Sequence, residues 1–246
     1  MPKAFSTLHR LAFPARTWLA GVLFVIPAAV VVICTPGRQR RRRMARHAAR
    51  LLFRLMGAPL AIQGLEHFPA QACIVVANHA SYLDGPLLAA VLPPRFGFVI
   101  KREIVRTPLA GRLLVRLGSE FVDRFDKRAA HSDASRLIQL ARSGASLGIF
   151  PEGTFKAEPG LGNFHLGAFM AATRAGIPVV PVVIRGTRGI LPADTLLPRA
   201  GRISVEILPA LFPQGARGED ARALRDAARS CVLERCGEPD RRLSQT

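Results

Sequence analysis

At 246 residues the chain is long enough for one sizeable domain with a full core and short appendages. A net charge of +18 requires an anionic partner, and a mean hydropathy of +0.21 with 49% hydrophobic residues favours an anionic membrane surface over nucleic acid. A single Trp and a single Tyr are too few rings for base stacking, and Cys34, Cys73, Cys231 and Cys236 have no metal-ligand spacing, so no nucleic acid, no metal and no disulfide framework are expected.

The uncharged run Trp18 to Cys34 (WLAGVLFVIPAAVVVIC) lies at the lower edge of the roughly 17 to 25 residues that span a bilayer. Pro27 near its middle predicts a kink. GRQRRRR, Gly37 to Arg43, follows with no small-residue cleavage site, which disfavours a signal peptide and predicts a membrane anchor, spanning the bilayer or dipping into one leaflet. Lys3, Arg10 and Arg16 before the run are outnumbered by Arg38, Arg40, Arg41, Arg42, Arg43, Arg46 and Arg50 after it. The positive-inside rule then sets the body of the chain on the cytoplasmic face, at the inner membrane if the source is bacterial. Met44 to Met56 predicts a basic amphipathic helix lying on the membrane. Arg46, Arg50 and Arg54 repeat along one side, while Met44, Ala48, Leu51, Leu52 and Leu55 gather toward the other. Its rival is an ordinary surface helix packed on the domain.

From Gly57 the pattern is that of an α/β domain. Short apolar runs at Leu60 to Gln63, Cys73 to Ala77, Phe96 to Ile100, Gly118 to Arg124, Ser146 to Phe150, Ile177 to Ile184 and Ile203 to Leu208 predict strands. Between them, helical spacing is read from Ser81 to Leu92, Thr107 to Leu117, Ala130 to Ser143 and Gly167 to Ala175, and again over Asp220 to Cys236. This alternation predicts an α/β fold with a mostly parallel sheet flanked by helices, preceded by an N-terminal membrane-associated helical segment. The polar end after Gly237 is expected to fray.

The chemistry is expected in NHASYLD, Asn78 to Asp84, directly after a run suited to a strand buried on both faces. A carboxylate one tight turn from a histidine fixes the tautomer and stabilises the imidazolium, leaving the other ring nitrogen to take a proton from a substrate hydroxyl. Ser81 is the expected helix N-cap, with amides nearby for an oxyanion. Lys101, Arg124 and Glu152 stand at other strand ends, where ligands collect in open α/β sheets, and Gly153 and Thr154 add a backbone that can approach a ligand closely. Arg124 can grip a phosphate as a fork and Lys101 as a point charge.

Together NHASYLD, KREIVRTPLAG (Lys101 to Gly111), GSEFVDR (Gly118 to Arg124), FPEGT (Phe150 to Thr154) and the IPVVPV strand with Pro178 and Pro181 resemble the glycerolipid acyltransferases, from about Leu65 to Leu208. The resemblance implies that His79 and Asp84 form the catalytic pair. It implies that Asn78, Ser81, Lys101, Arg124, Glu152, Gly153 and Thr154 serve the substrate, with Arg124, Glu152 and Gly153 on the acceptor's glycerol phosphate. It further implies transfer of a fatty acyl group from a thioester, acyl-CoA or acyl carrier protein, to lysophosphatidate, giving phosphatidate, with no cofactor and no metal. On this reading residues 1–57 are a membrane anchor and basic helix, 58–215 the acyltransferase domain and 216–246 a C-terminal helix and tail. Phe155 and Lys156 follow FPEGT where many relatives have Arg or Ser, and His165 stands in the segment where they carry a Lys; the acceptor is therefore open to another lysolipid, such as a lyso-ornithine lipid. Two rivals fit less well. A catalytically silent basic membrane or nucleic-acid binder has no need of His79 and Asp84. A serine hydrolase would use GASLG, Gly144 to Gly148, but there the Ser precedes a strand instead of following one.

Overall fold

The computed structural model of the chain describes residues 21–123, 127–195 and 197–241. A π-helical turn, Gly21–Val25, leads into α1 (Ile26–Cys34), and the chain reverses into α2 (Arg38–Leu55). Pro27 falls in the first turn of α1, directly after the π-helical turn, so it stands where π-helix gives way to α-helix. Among the described residues no helix is long and apolar enough to cross a membrane. Trp18, where the predicted anchor begins, lies outside the described residues, as do the cations before it.

The arginine run is no flexible flank: it forms the first turns of α2, and its inner edge faces the protein. Strands and helices then alternate as β1 (Leu60–Gln63), β2 (Ile74–Ala77), α3 (Asp84–Val91), β3 (Phe96–Lys101), α4 (Pro108–Arg116), β4 (Glu120–Val122), α5 (Lys127–Arg142) and β5 (Ser146–Ile149). The chain continues through α6 (Gly167–Ala175), β6 (Val179–Arg185), a short α7 (Thr187–Ile190), β7 (Ile203–Ile207) and α8 (Gly218–Cys236). The strands form one 7-stranded sheet in the order β1-β7-β6-β2-β5-β3-β4, parallel at every step except the antiparallel β6–β7 pair. The expected mostly parallel α/β sheet is therefore present.

Every residue of β2 is buried, and alternation sends its side chains into two cores. Ile74 and Val76 pack with Phe169 of α6 and with Leu224, Ala228 and Val232 of α8. Val75 and Ala77 pack with Phe53 of α2 and with Leu87 and Leu88 of α3. The sheet is thus the middle of three layers. Ser146 opens β5 and accepts a hydrogen bond from Cys73 N, so the GASLG serine is a buried strand residue and no nucleophile elbow.

The basic helix packs on the domain, with Arg42, Arg46 and Arg50 turned toward it. Leu51 and Leu55 face outward, whereas Phe53 is fully buried. Arg50 Nε donates to Ala90 O (2.8 Å) and Arg46 to Ala90 O and Val91 O (3.3 and 3.2 Å). Arg42 spans Leu117 O, Arg95 O and Gly118 O at 2.9–3.2 Å, and burial together with the nearby Arg38 charge pushes its guanidinium below the ordinary arginine value. The physical reason is that α3 stops at the Pro93–Pro94 pair and α4 at Gly118, leaving carbonyls that need donors; cations at helix C-termini also meet a favourable dipole. Replacing Arg46 and Arg50 together with Gln is expected to lower the unfolding free energy by about 1–3 kcal/mol, read as a shifted denaturant midpoint, because charged donors to buried carbonyls are lost.

Candidate active site

Asn78 closes β2. Its side-chain amide donates to Ile184 O (2.8 Å) and accepts from Ile184 N (2.7 Å), continuing the β2–β6 pairing by one side chain. With its amide nitrogen and oxygen both engaged and 2% exposure, Asn78 holds the strand end. The same applies to Ser81, fully buried, whose Oγ donates to Leu191 O (2.8 Å) and accepts from Leu83 N (3.2 Å). It caps a turn that precedes α3, and Asp84 opens the helix instead of Ser81.

Asp84 is completely buried, and its Oδ2 accepts three hydrogen bonds: from Ala80 N (2.6 Å), Ser81 N (2.8 Å) and the His79 ring at Nδ1 (2.9 Å). An ionised carboxylate can only accept, so Nδ1 carries the proton and Nε2 is the bare nitrogen. Phe150 stacks on the imidazole, with ring centres 4.1 Å apart and planes within 15°, and Phe155 meets it edge-on at 4.6 Å. Tyr82, 61% exposed, packs edge-on against Phe155 at 4.8 Å and forms the rim. These rings fix the imidazole plane and keep water from its faces. The amides of Ala80, Ser81 and Leu83 are all committed within the turn, so the oxyanion donors expected beside Ser81 are not those three.

β5 is the neighbour of β2 and delivers FPEGT to the same edge. Glu152 Oε1 accepts from His79 N and Oε2 from Gly162 N, both at 2.7 Å. The carboxylate predicted to grip an acceptor thus bridges the amide of His79 to the loop amide of Gly162. Burial raises its pKa above the ordinary carboxylate value, against the opposing effect of those two N–H donors. Gly153 turns the chain at a φ of +84°, which a side chain would strain, and Thr154 is exposed beyond it.

Lys101 ends β3 at the same sheet edge, part-exposed and paired with Glu103 at 3.4 Å. Arg124 lies outside the described residues. The residue before it is fixed: Asp123 N donates to Asp133 (2.6 Å), which also receives Arg102 (3.2 Å). Among the described residues no group of three or more His, Cys, Asp or Glu is placed to hold a metal ion. Sequence reading missed Phe150, Phe155, Gly162 and the buried Arg229. The last carried a signal, since it lies on the buried side of α8 three residues before Val232 and seven before Cys236.

Residues 59–185, more than half of the chain and the segment that carries His79, Asp84 and Glu152, match the Acyltransferase family model. The chain belongs to the acyltransferase family. It is 34% identical to a chloroplastic 1-acyl-sn-glycerol-3-phosphate acyltransferase of Brassica napus over 175 residues, covering 70% of this chain and 49% of the plant protein. It is 31% identical to the bovine 1-acyl-sn-glycerol-3-phosphate acyltransferase alpha over 215 residues, 86% of this chain and 75% of the other. The chain thus spans about half of one relative and three quarters of the other. The crystal structure of the 1-acyl-sn-glycerophosphate acyltransferase PlsC from Thermotoga maritima superposes with a TM-score of 0.74 at 21% identity, over 93% of this chain and 96% of that one. At that identity the likeness establishes the acyltransferase fold.

Because the folded-state pKa of Glu152 is raised, the folded protein holds its proton more tightly than the unfolded chain. The stability this contributes is complete below the unfolded-state value and lost as pH rises through the folded one. Measured against Glu152→Gln, the unfolding free energy of the wild type is expected to fall as pH rises above the ordinary carboxylate range, about pH 4; parallel curves would show that the burial penalty is absent.

Proposed function

We propose that the protein moves a fatty acyl group from a thioester, acyl-CoA or acyl carrier protein, to the free hydroxyl of lysophosphatidate, giving phosphatidate. The observation that carries this reading is the His79 Nδ1–Asp84 Oδ2 hydrogen bond of 2.9 Å at the end of β2, inside the segment shared with the acyltransferase family. Relatives bearing the name 1-acyl-sn-glycerol-3-phosphate acyltransferase support the acceptor.

His79 Nε2 takes the hydroxyl proton as the acceptor oxygen attacks the thioester carbonyl. The tetrahedral intermediate collapses with cleavage of the carbon–sulfur bond, and the imidazolium returns its proton to the leaving thiolate. Asp84 keeps Nδ1 protonated, so the neutral ring offers Nε2 as acceptor, and it stabilises the imidazolium that forms. Glu152 acts on the backbone of His79, whereas Lys101 at the end of β3 and the Arg124 of the GSEFVDR motif are the phosphate-binding candidates. Gly153 and Thr154 follow Glu152 in the turn after β5.

The reading includes a membrane. Leu23, Ile26, Val30 and Val31 are 65%, 48%, 47% and 52% exposed on one helical segment, and Val115 of α4, which packs beside α1, adds 52%. Arg116 Nε donates to Ile33 O (3.1 Å) and Arg41 to Thr35 O and Arg116 O (2.6 and 2.9 Å), so this apolar surface is held firmly to the domain. An exposed apolar patch beside the arginines of α2 suits an anionic bilayer surface, with the domain on the cytoplasmic face. The Ile26→Asp/Val30→Asp variant is expected to lose retention on anionic lipid vesicles while keeping its melting midpoint.

Protein-containing membranes are expected to form phosphatidate from lysophosphatidate with at least one thioester donor, and His79→Ala to lower the rate by about 100-fold to 10,000-fold. Product from another lysolipid alone, such as a lyso-ornithine lipid, would move the acceptor and leave the base in place. Full activity in His79→Ala would refute the mechanism.

A further inference from the structure

The described part of the tail beyond α8, expected to fray, is bound to the loop beside the site. Leu161 N donates to Pro239 O (2.8 Å) and Arg241 N to Leu161 O (3.2 Å), so residues 239–241 pair in parallel with the loop that carries Gly162. Arg229 of α8 is only 4% exposed, an unusual place for a cation. Its Nε donates to Gly162 O and its Nη2 to Leu161 O, both at 2.9 Å, while Asp240 takes the guanidinium with both oxygens. Glu238 accepts from Gly160 N and from Arg188 Nε (2.7 Å), and Arg188 also reaches Lys156 O and Ala157 O at 2.8 and 3.0 Å.

None of these groups is hydrogen-bonded to His79, yet Arg229 holds the two carbonyls that flank the Gly162 amide. Gly162 N supplies half of the hydrogen bonding of Glu152, whose other oxygen holds His79 N. The approach is close, since a Cβ on Gly162 would lie 3.0 Å from Glu152 Oε2. We propose that Arg229, clamped by Asp240, is a positioning residue for catalysis: it sets the Gly160–Gly162 loop so that Gly162 and Glu152 together hold His79 in place. This rests on the reading of His79 as the base. A fork suits this role because four acceptor oxygens, two carbonyl and two carboxylate, are bound at once, whereas a lysine ammonium offers three donors from a single point.

Loss of the Gly162 donor has a second consequence. Burial raises the pKa of Glu152 and its two N–H bonds oppose that rise; with one weakened, it binds a proton at higher pH. The charged groups around it are His79 and Asp84 from the β2–α3 turn, Arg229 from α8, and Glu238 and Asp240 from the tail, with the Cys236 thiol also close.

The test is Arg229→Lys in the full chain, with the melting curve, the kinetics of lysophosphatidate acylation and the 13C titration of the Glu152 carboxyl measured together. The expected result is a folded protein with kcat lowered about 10-fold to 100-fold, the scale of a small misplacement of a reacting group. The acceptor KM is expected to change little, and Glu152 to titrate at higher pH. The effects of Arg229→Lys and Glu152→Gln on kcat should not add, because both act through the same hydrogen bond. Asp240→Asn, at the rim of the pair, carries the same readouts if Arg229→Lys unfolds. A folded variant with wild-type kcat and an unmoved Glu152 titration overturns the proposal, as does an effect confined to KM. Should His79→Ala retain activity, the base assignment falls, while the Glu152 titration still decides whether Arg229 sets the loop.

Discussion

One carboxylate oxygen organises the site. Asp84 is fully buried at the start of α3, and its Oδ2 gathers the His79 ring and the amides of Ala80 and Ser81. A buried carboxylate without donors costs several kcal/mol, so the turn between β2 and α3 is restricted to conformations that aim those groups at it. The helix N-terminus adds a favourable field for the negative charge. The spacing in NHASYLD is therefore a folding constraint before it is a catalytic one: the bonds that make the carboxylate tolerable also fix the imidazole.

The sheet supplies the remaining geometry. β2 and β5 are neighbours and run parallel, so their C-terminal ends open at one edge and Glu152 meets the backbone of His79 without any long loop. The buried face residues of β2 tie that edge to both helical layers, on one side through Phe53 of α2 and on the other through α6 and α8. Arginine serves twice in this scheme, and both times its partners are carbonyls. Arg42, Arg46 and Arg50 close the ends of α3 and α4, and Arg229 closes the loop beneath Glu152. Only the outward positions of α2, such as Arg40 and Arg43, are left facing solvent.

Much of this was legible in the sequence. Short β-branched runs bounded by Gly and Pro located the strands within a few residues, and a histidine and carboxylate after a doubly buried strand located the pair. What failed were roles that depend on partners distant in sequence. Asn78 and Ser81 are ordinary polar residues beside a site until Ile184 and Leu191 come to meet them from the β6 side of the sheet. The arginine periodicity of α2 was read correctly as one face, but period alone cannot say whether that face meets phosphate or unsatisfied carbonyls. The tail beyond Gly237 is polar and short, as frayed ends are. Nothing local reveals that Arg229, on the buried side of an otherwise amphipathic helix, would find both it and the Gly162 loop.

The commitment of the turn's amides has a consequence for how the site can work. Backbone N–H groups at a strand-to-helix turn are the common source of an oxyanion hole, yet those of Ala80 and Ser81 are spent on Asp84, that of Leu83 on Ser81 Oγ and that of His79 on Glu152. Hydrogen bonding in this turn thus serves the base and its orientation. Phe150 and Phe155 extend the same pattern by holding the ring plane and excluding water from its faces, without adding a charge beside the nitrogen that must accept a proton. Where relatives of the motif place Arg or Ser after the threonine, an aromatic edge at Phe155 leaves the imidazole in a dry, uncharged wall. Beyond the turn, a cation that the described sheet brings to the same edge is Lys101 at the end of β3, where it pairs with Glu103.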